Sequence, residues 1–145
     1  MIHTMAGIQL RLACDEMMRA QGHDEPTGRA KITPGFNLPA VYVLHTVGPI
    51  VTGELTAEDE ALLASCYRSC LDLAAETGVE SVAFCCISTG IFMFPAQRAA
   101  QIAVKTVIDW LDETDSPIKV IFNVFKEDDL AIYSRLLNRP ADDAL

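Results

Sequence analysis

The sequence predicts an α/β fold in which helices pack on a parallel sheet, and three observations carry that prediction. Strand and helix patterns alternate through most of the chain. One strand pattern, Ser81–Ser88 (SVAFCCIS), is almost unbroken in its apolar character, as expected of a central parallel strand covered on both faces. The helical patterns around it carry residues suited to starting and stopping a helix. With 145 residues, half of them hydrophobic, the chain is long enough for one domain with a substantial core.

The elements follow in order. Met5–Gln21 reads as a helix. Glu25–Pro39, rich in Gly, Pro and Thr, reads as loop with one short strand around Arg29–Thr33. Tyr42–Val47 (YVLHTV) is a strand closed by Gly48 and Pro49. In Ala57–Thr77 the residues Leu63, Cys66, Tyr67, Cys70 and Ala74 recur at helical spacing, with Thr56 placed to cap the start and Gly78 the end. After the strand Ser81–Ser88, Pro95 suits the first helical position, where its missing N–H costs nothing, and Ala96–Trp110 repeats the helical pattern. Ile118–Phe125 (IKVIFNVF) is the last strand, and a helix with an acidic start at Glu127–Asp129 ends before Pro140. Residues 141–145 are expected to be a disordered tail.

Composition narrows the function classes. A formal charge of −9 argues against a surface for long nucleic acids, which bind through many Lys and Arg contacts to phosphate. A small anionic ligand stays possible, because backbone N–H groups and helix N-termini hold phosphate with few cations. No apolar run approaches the roughly 20 residues that span a bilayer, and the opening residues lack a secretion signal pattern, so a cytoplasmic location is expected. Cys14, Cys66, Cys70, Cys85 and Cys86 form an odd set without the spacing of a disulfide scaffold and read as reduced. Cys66 and Cys70 lie four apart on a helix and could share a metal, but no C-x-x-C or paired His accompanies them, and small buried hydrophobes are the favoured reading.

In parallel sheets ligands bind beyond the carboxyl ends of the strands, and Ser88–Pro95 (STGIFMFP) occupies that place. Gly90 lets backbone approach a ligand, N–H groups can converge on a phosphate, and the following helix presents its positive end. Phe92 and Phe94 offer flat apolar surface for a sugar or base. The competing reading is an ordinary strand-to-helix turn with both rings in the core.

Three segments in order, Ile2–Leu10 (IHTMAGIQL), Gly28–Pro49 (GRAKITPGFNLPAVYVLHTVGP) and Ile87–Pro95 (ISTGIFMFP), resemble the macrodomain family, whose members bind ADP-ribose. With Val120–Phe125 and the helix containing Tyr133, the resemblance covers residues 1 to 138. It implies a macrodomain over residues 1–140, with a three-layer α/β/α sandwich and a mixed, mostly parallel sheet. By similarity, Ser88, Thr89, Gly90, Ile91, Phe92, Met93 and Phe94 wrap the diphosphate and distal ribose, with Phe92 near that ribose. Phe125, ending the last strand, would border the adenosine side, against an equal expectation of a core ring. Met93 stands where the wider family often has Gly.

Ile2–Arg11 (IHTMAGIQLR) and Glu25–Thr33 (EPTGRAKIT) most resemble the zinc-dependent branch, whose members remove ADP-ribose from modified proteins. In that branch the metal ligands and a catalytic or ribose-binding Asp–Asn segment precede the match to Ile2. The resemblance therefore implies an N-terminally shortened chain without the family's first strands. No cofactor or metal ligand is expected within it, zinc belongs to the full-length parent, and the catalytic residues are unknown. An uncovered sheet edge would favour a homo-oligomer. The implied function is ADP-ribose binding by a derivative of a protein-ADP-ribose hydrolase, with a non-catalytic reader or an inactive interaction module as alternatives. The expected partner is ADP-ribose or an ADP-ribosylated protein, with no nucleic acid and no membrane.

Among other candidates, His45 lies in an apolar strand and reads as a hydrogen-bonded core histidine, His23 as solvated, and His3 draws interest only because it follows the expected metal segment. Asn37 suits a turn. Ser88 as a nucleophile lacks a G-x-S-x-G elbow, and the adjacent Cys85 and Cys86 should face opposite sides of a strand.

Overall fold

Helices and strands alternate as the sequence patterns require, and each boundary has a local cause. A computed structural model describes residues 5–138; His3 and the expected tail at 141–145 lie outside that range. The described elements are α1 (Ile8–Gln21), β1 (Ala30–Pro34), β2 (Tyr42–Thr46), α2 (Ala57–Thr77), β3 (Ser81–Phe84), α3 (Ala96–Thr114), β4 (Lys119–Phe122) and α4 (Glu127–Leu137). No described helix is long and apolar enough to cross a membrane.

The helix expected from Met5 is interrupted at Gly7, whose φ of 89° is left-handed, so α1 begins at Ile8. A capping box opens α2: the Asp59 N–H donates to Thr56 Oγ1 at 3.1 Å, and the Thr56 N–H donates to the Asp59 carboxylate at 3.0 Å. Gly78, at φ 80°, closes it. Pro95 is the residue before α3 rather than its first, and the helix runs past Trp110 to Thr114, ended by a left-handed Asp115.

The described strands form two ladders. In the first, β1 and β2 are antiparallel, with Pro34 opposite Tyr42 and Ala30 opposite Thr46. The second pairs β3 and β4 in parallel, with Ser81 beside Lys119 and Phe84 beside Phe122. No described strand bonds the two ladders together.

Both expected strands of the second ladder are shorter than their apolar runs. In β3, Val82 and Phe84 are buried while Ser81 and Ala83 are exposed, so one face is covered rather than two. The remainder of the run leaves the strand, and Ile87 packs into the core from a loop. Apolar character thus signals burial there without signalling extended backbone.

The core centres on α2 and α3. Tyr67 of α2 packs on Phe84 with ring centroids 4.9 Å apart, and Trp110 of α3 is buried and donates its indole N–H to Asp72 of α2 at 2.8 Å. Arg98–Glu60 and Arg68–Glu113 pairs bridge the same two helices at the surface. Ala30 and Leu44 of the first ladder pack toward this core. Thr33 and His45 lie on the opposite face, and α1 packs on β1. A sheet between helices is the three-layer α/β/α arrangement, and its strand pairings are mixed.

Candidate functional site

Because β3 and β4 run parallel, their carboxyl ends share one edge of the sheet, and the loops after Phe84 and Phe122 leave from it together. The turn after β2 reaches the same edge. A Cβ on Gly48 would collide with Ser88 Oγ, and the Val51 N–H donates to the Phe92 carbonyl at 2.9 Å. The loop 85–95 is therefore held from the side by residues about 40 positions earlier.

Inside that loop the hydrogen-bond accounting is uneven. The Met93 N–H donates to the Gly90 carbonyl at 3.1 Å and the Phe94 N–H to the Ser88 carbonyl at 2.9 Å. The N–H groups of residues 88–92 donate to no backbone carbonyl among the described residues. Ser88 and Met93 both have φ of 65°, a left-handed conformation costing roughly 1–2 kcal/mol for a residue with a side chain.

Gly90 is not left-handed, and a Cβ there would meet nothing within 4 Å. Its contribution is open space above the loop. The next element, α3, starts with no side-chain cap and no acidic residue of its own in the first turn, although Arg98 of that turn pairs with Glu60 of α2. No charged side chain occurs in residues 85–95.

The aromatic candidates divide. Phe92 is half-buried and lines the cavity beside Ser88. Phe94 is only 2 % exposed and belongs to the core, and its N–H is already bonded, so the reading of its ring as ligand surface is corrected. Ile91 and Met93 project into solvent. Phe125 lies in the loop after β4 and is 99 % exposed, which removes the alternative of a core ring and leaves it free at the same edge as residues 88–92.

The remaining candidates fall into structural roles. His45 Nε2 and Thr33 Oγ1 are 2.9 Å apart in a part-buried hydrogen bond, as expected of a core histidine. His23 Nδ1 lies 2.8 Å from the Asp24 carbonyl at the surface. The Asn37 N–H donates to the Ala6 carbonyl at 3.2 Å, tying its turn to the chain before α1. Cys66 and Cys70 are buried; the Cys66 thiol donates to the Val47 carbonyl at 3.3 Å, and burial pushes the Cys70 thiol up to about 12, so neither offers a thiolate near neutral pH. Cys86 is held above its ordinary value by burial first and by Asp129 second. Cys85 and Cys86 lie beyond the end of β3, not within it. Ser88 Oγ is buried without a hydrogen-bond partner, so no base activates it. No group of three or more His, Cys, Asp or Glu among the described residues is arranged to hold a metal.

Sequence reasoning missed the two braces on the loop, Gly48 and Val51, and the left-handed residues Ser88 and Met93. The glycine closing the Tyr42–Val47 pattern was the available signal.

Against known proteins, the family model described as Macro domain matches residues 1–103. The protein-ADP-ribose hydrolase of Treponema medium is 63 % identical over 137 residues, covering 94 % of this chain and 52 % of that protein. A protein-ADP-ribose hydrolase of Staphylococcus aureus strain MSSA476 is 53 % identical over 142 residues, covering 97 % and 53 %. Among solved structures, the Oceanobacillus iheyensis macrodomain with ADP superposes with a TM-score of 0.86 at 42 % identity, covering 94 % of this chain and 72 % of that one. The Trypanosoma brucei macrodomain in complex with ADP-ribose gives 0.82 at 37 % identity, covering 94 % and 55 %. The chain spans about half the length of the curated relatives it matches.

Proposed function

The chain belongs to the macro domain family, and on that premise we propose that residues 88–92 hold the diphosphate of ADP-ribose, free or attached to a protein. The observation that carries this reading is the run of N–H groups from 88 to 92 with no backbone acceptor, set beside the uncapped start of α3. A diphosphate offers such donors charged oxygens, and bonds from N–H to an ionised acceptor are about twice as strong as neutral ones. This is also how a protein with a charge of −9 can take a dianion without a cationic pocket. Phe92 is assigned to the distal ribose, and the exposed ring of Phe125 to the adenosine side.

For proteins that carry such a stretch within a longer chain, as the Treponema and Staphylococcus relatives do, we extend the reading to release of ADP-ribose from modified proteins. The names of the Treponema and Staphylococcus relatives support that extension. The residues described here supply binding donors but no paired base and nucleophile, and they do not fit a zinc centre. We therefore assign them substrate anchoring alone. The same observation favours, as a second reading, a reader that binds without chemistry when this stretch acts by itself.

Calorimetric titration of the purified chain with ADP-ribose tests the proposal. The expected result is one-to-one binding, with AMP at least about tenfold weaker because it lacks the second phosphate. A folded sample that binds neither nucleotide overturns it. Incubation with an ADP-ribosylated protein then separates hydrolase from reader: release of ADP-ribose supports the first, and retention with binding supports the second.

A further inference from the structure

The hydroxyl groups of the two central helices bond in two different ways. Thr77 and Thr114 turn back and donate to carbonyls of their own helices, those of Leu73 and Trp110, four residues earlier. Ser65 and Ser69 of α2 reach across instead, and both donate to the carbonyl of Gly28, at 2.8 and 2.7 Å. Four residues apart, they lie on one face of the helix, and between them they occupy both lone pairs of that oxygen. The approach is close enough to require glycine, since Gly28 has a φ of 86° and a Cβ there would lie 3.0 Å from Ser65 Oγ. Cys66, on the same stretch of helix, donates its thiol to the Val47 carbonyl, which also accepts from the Gly28 N–H at 3.0 Å.

Val47 leads directly into the segment that braces the loop. A Cβ on Gly48 would overlap Ser88 Oγ and lie 2.7 Å from Ile87 Cγ2, and Val51 donates to the Phe92 carbonyl. Helix α2 therefore holds segment 47–51, and that segment holds loop 85–95. The loop needs such support, because Ser88 is left-handed at φ 65° and its buried Oγ has no hydrogen bond among the described residues to fix it. Backbone strain of this kind persists only where the surroundings over-determine it. As a frame of reference α2 is well suited: it is capped at both ends and buries Leu63, Tyr67 and Leu71 in the core.

We infer that Ser65, Cys66 and Ser69 are positioning residues for the diphosphate: by fixing Gly28 and Val47 they set where Gly48 and Val51 stand, and so keep the N–H groups of residues 88–92 in their binding arrangement. The inference rests on the reading that those N–H groups hold the diphosphate. None of the three side chains touches the loop itself; each acts through backbone carbonyls. Because two hydroxyls share one oxygen, either alone keeps the Gly28 carbonyl bonded, and the effects of removing them should be strongly non-additive.

The test compares Ser65→Ala/Ser69→Ala with the parent chain in ADP-ribose calorimetry and in amide hydrogen exchange without nucleotide, both well below the melting midpoints. Alanine suits a helix interior, so the variant should fold. The expected result is affinity lower by about tenfold, and exchange at Val51 and Phe94, the amides that tie the loop, faster by about tenfold. Each single change should cost less than about twofold, and Ser65→Ala/Ser69→Thr, which keeps one hydroxyl, should restore both readouts. Asp72→Ala, which removes the partner of Trp110 on the same helix, should lower the melting temperature and leave affinity unchanged. Three outcomes overturn the inference: the folded double variant binds ADP-ribose as the parent does, its Val51 and Phe94 amides exchange at parental rates, or Asp72→Ala weakens binding equally. Failure of the parent itself to bind overturns the diphosphate reading instead, and the exchange rates then judge the brace by themselves.

Discussion

The two helices at the centre of the molecule begin in opposite ways. At the start of α2, Thr56 and Asp59 satisfy each other's backbone N–H groups, and Glu58, Asp59 and Glu60 offset the positive end of the dipole. At the start of α3 there is Pro95, with no side-chain cap and no acid in the first turn. The two helices pack on each other and share one core, so packing does not explain the contrast. One N-terminus is finished internally and contributes stability; the other is left unfinished beside a loop whose N–H groups at residues 88–92 have no backbone acceptor among the described residues. An uncapped terminus costs the fold about 1 kcal/mol, and that cost is intelligible when a ligand completes the cap.

The largest expected effect comes from putting a charge where the ligand's charge should go. Gly90→Asp meets no steric obstacle and should leave melting temperature nearly unchanged, yet reduce ADP-ribose affinity by about 100-fold through like-charge repulsion. Equal affinity for the variant and the parent in calorimetry would break the comparison. Next is Pro95→Asp, since the backbone there (φ −59°, ψ 125°) accepts an aspartate. It makes α3 resemble α2, and denaturant titration should show a gain of about 1 kcal/mol while affinity falls about tenfold. The converse change, Thr56→Ala, should cost about 1 kcal/mol in the same titration and leave affinity alone. Met93→Gly, relieving a left-handed side-chain residue, should add about 0.5 kcal/mol, with any change in affinity reporting whether the Met93 side chain covers the ligand.

The smallest effect concerns pH. Hydrogen bonding to Arg98 is the main cause that holds the Glu60 carboxyl below its ordinary value, so its contribution to stability is present above the unfolded-chain value and is lost as pH falls through the lowered one. Arg98→Gln should flatten that acid-side decline slightly, as measured by thermal melts across the carboxylate range, because the pair lies at the surface.

Much of this contrast was legible in the sequence. Thr56 and Gly78 were read correctly as the ends of α2, because caps are local and their chemistry is carried by the residue itself. The place of the loop was also legible, since alternation of strands and helices puts it at a carboxyl edge. What failed were properties fixed by distant neighbours. Phe94 and Phe125 have the same side chain in neighbouring patterns, yet one is core and the other fully exposed, because only tertiary packing distinguishes them. The apolar run from Ser81 overstated β3 because Ile87 is buried from an irregular backbone. The left-handed residues of the loop are Ser88 and Met93, while Gly90 between them is not left-handed. Strain at a non-glycine residue leaves no mark in composition.

The hydrogen bond between Trp110 and Asp72 has an optical consequence. Trp110 is the chain's one tryptophan, almost wholly shielded from water at the interface of α2 and α3, on elements that lead away from the loop. Its emission should shift to the red when that helix pair comes apart and remain steady while nucleotide occupies the loop. Fluorescence of the unlabelled protein thus reads unfolding cleanly, and a change of colour on adding ligand would signal that the pair itself had moved.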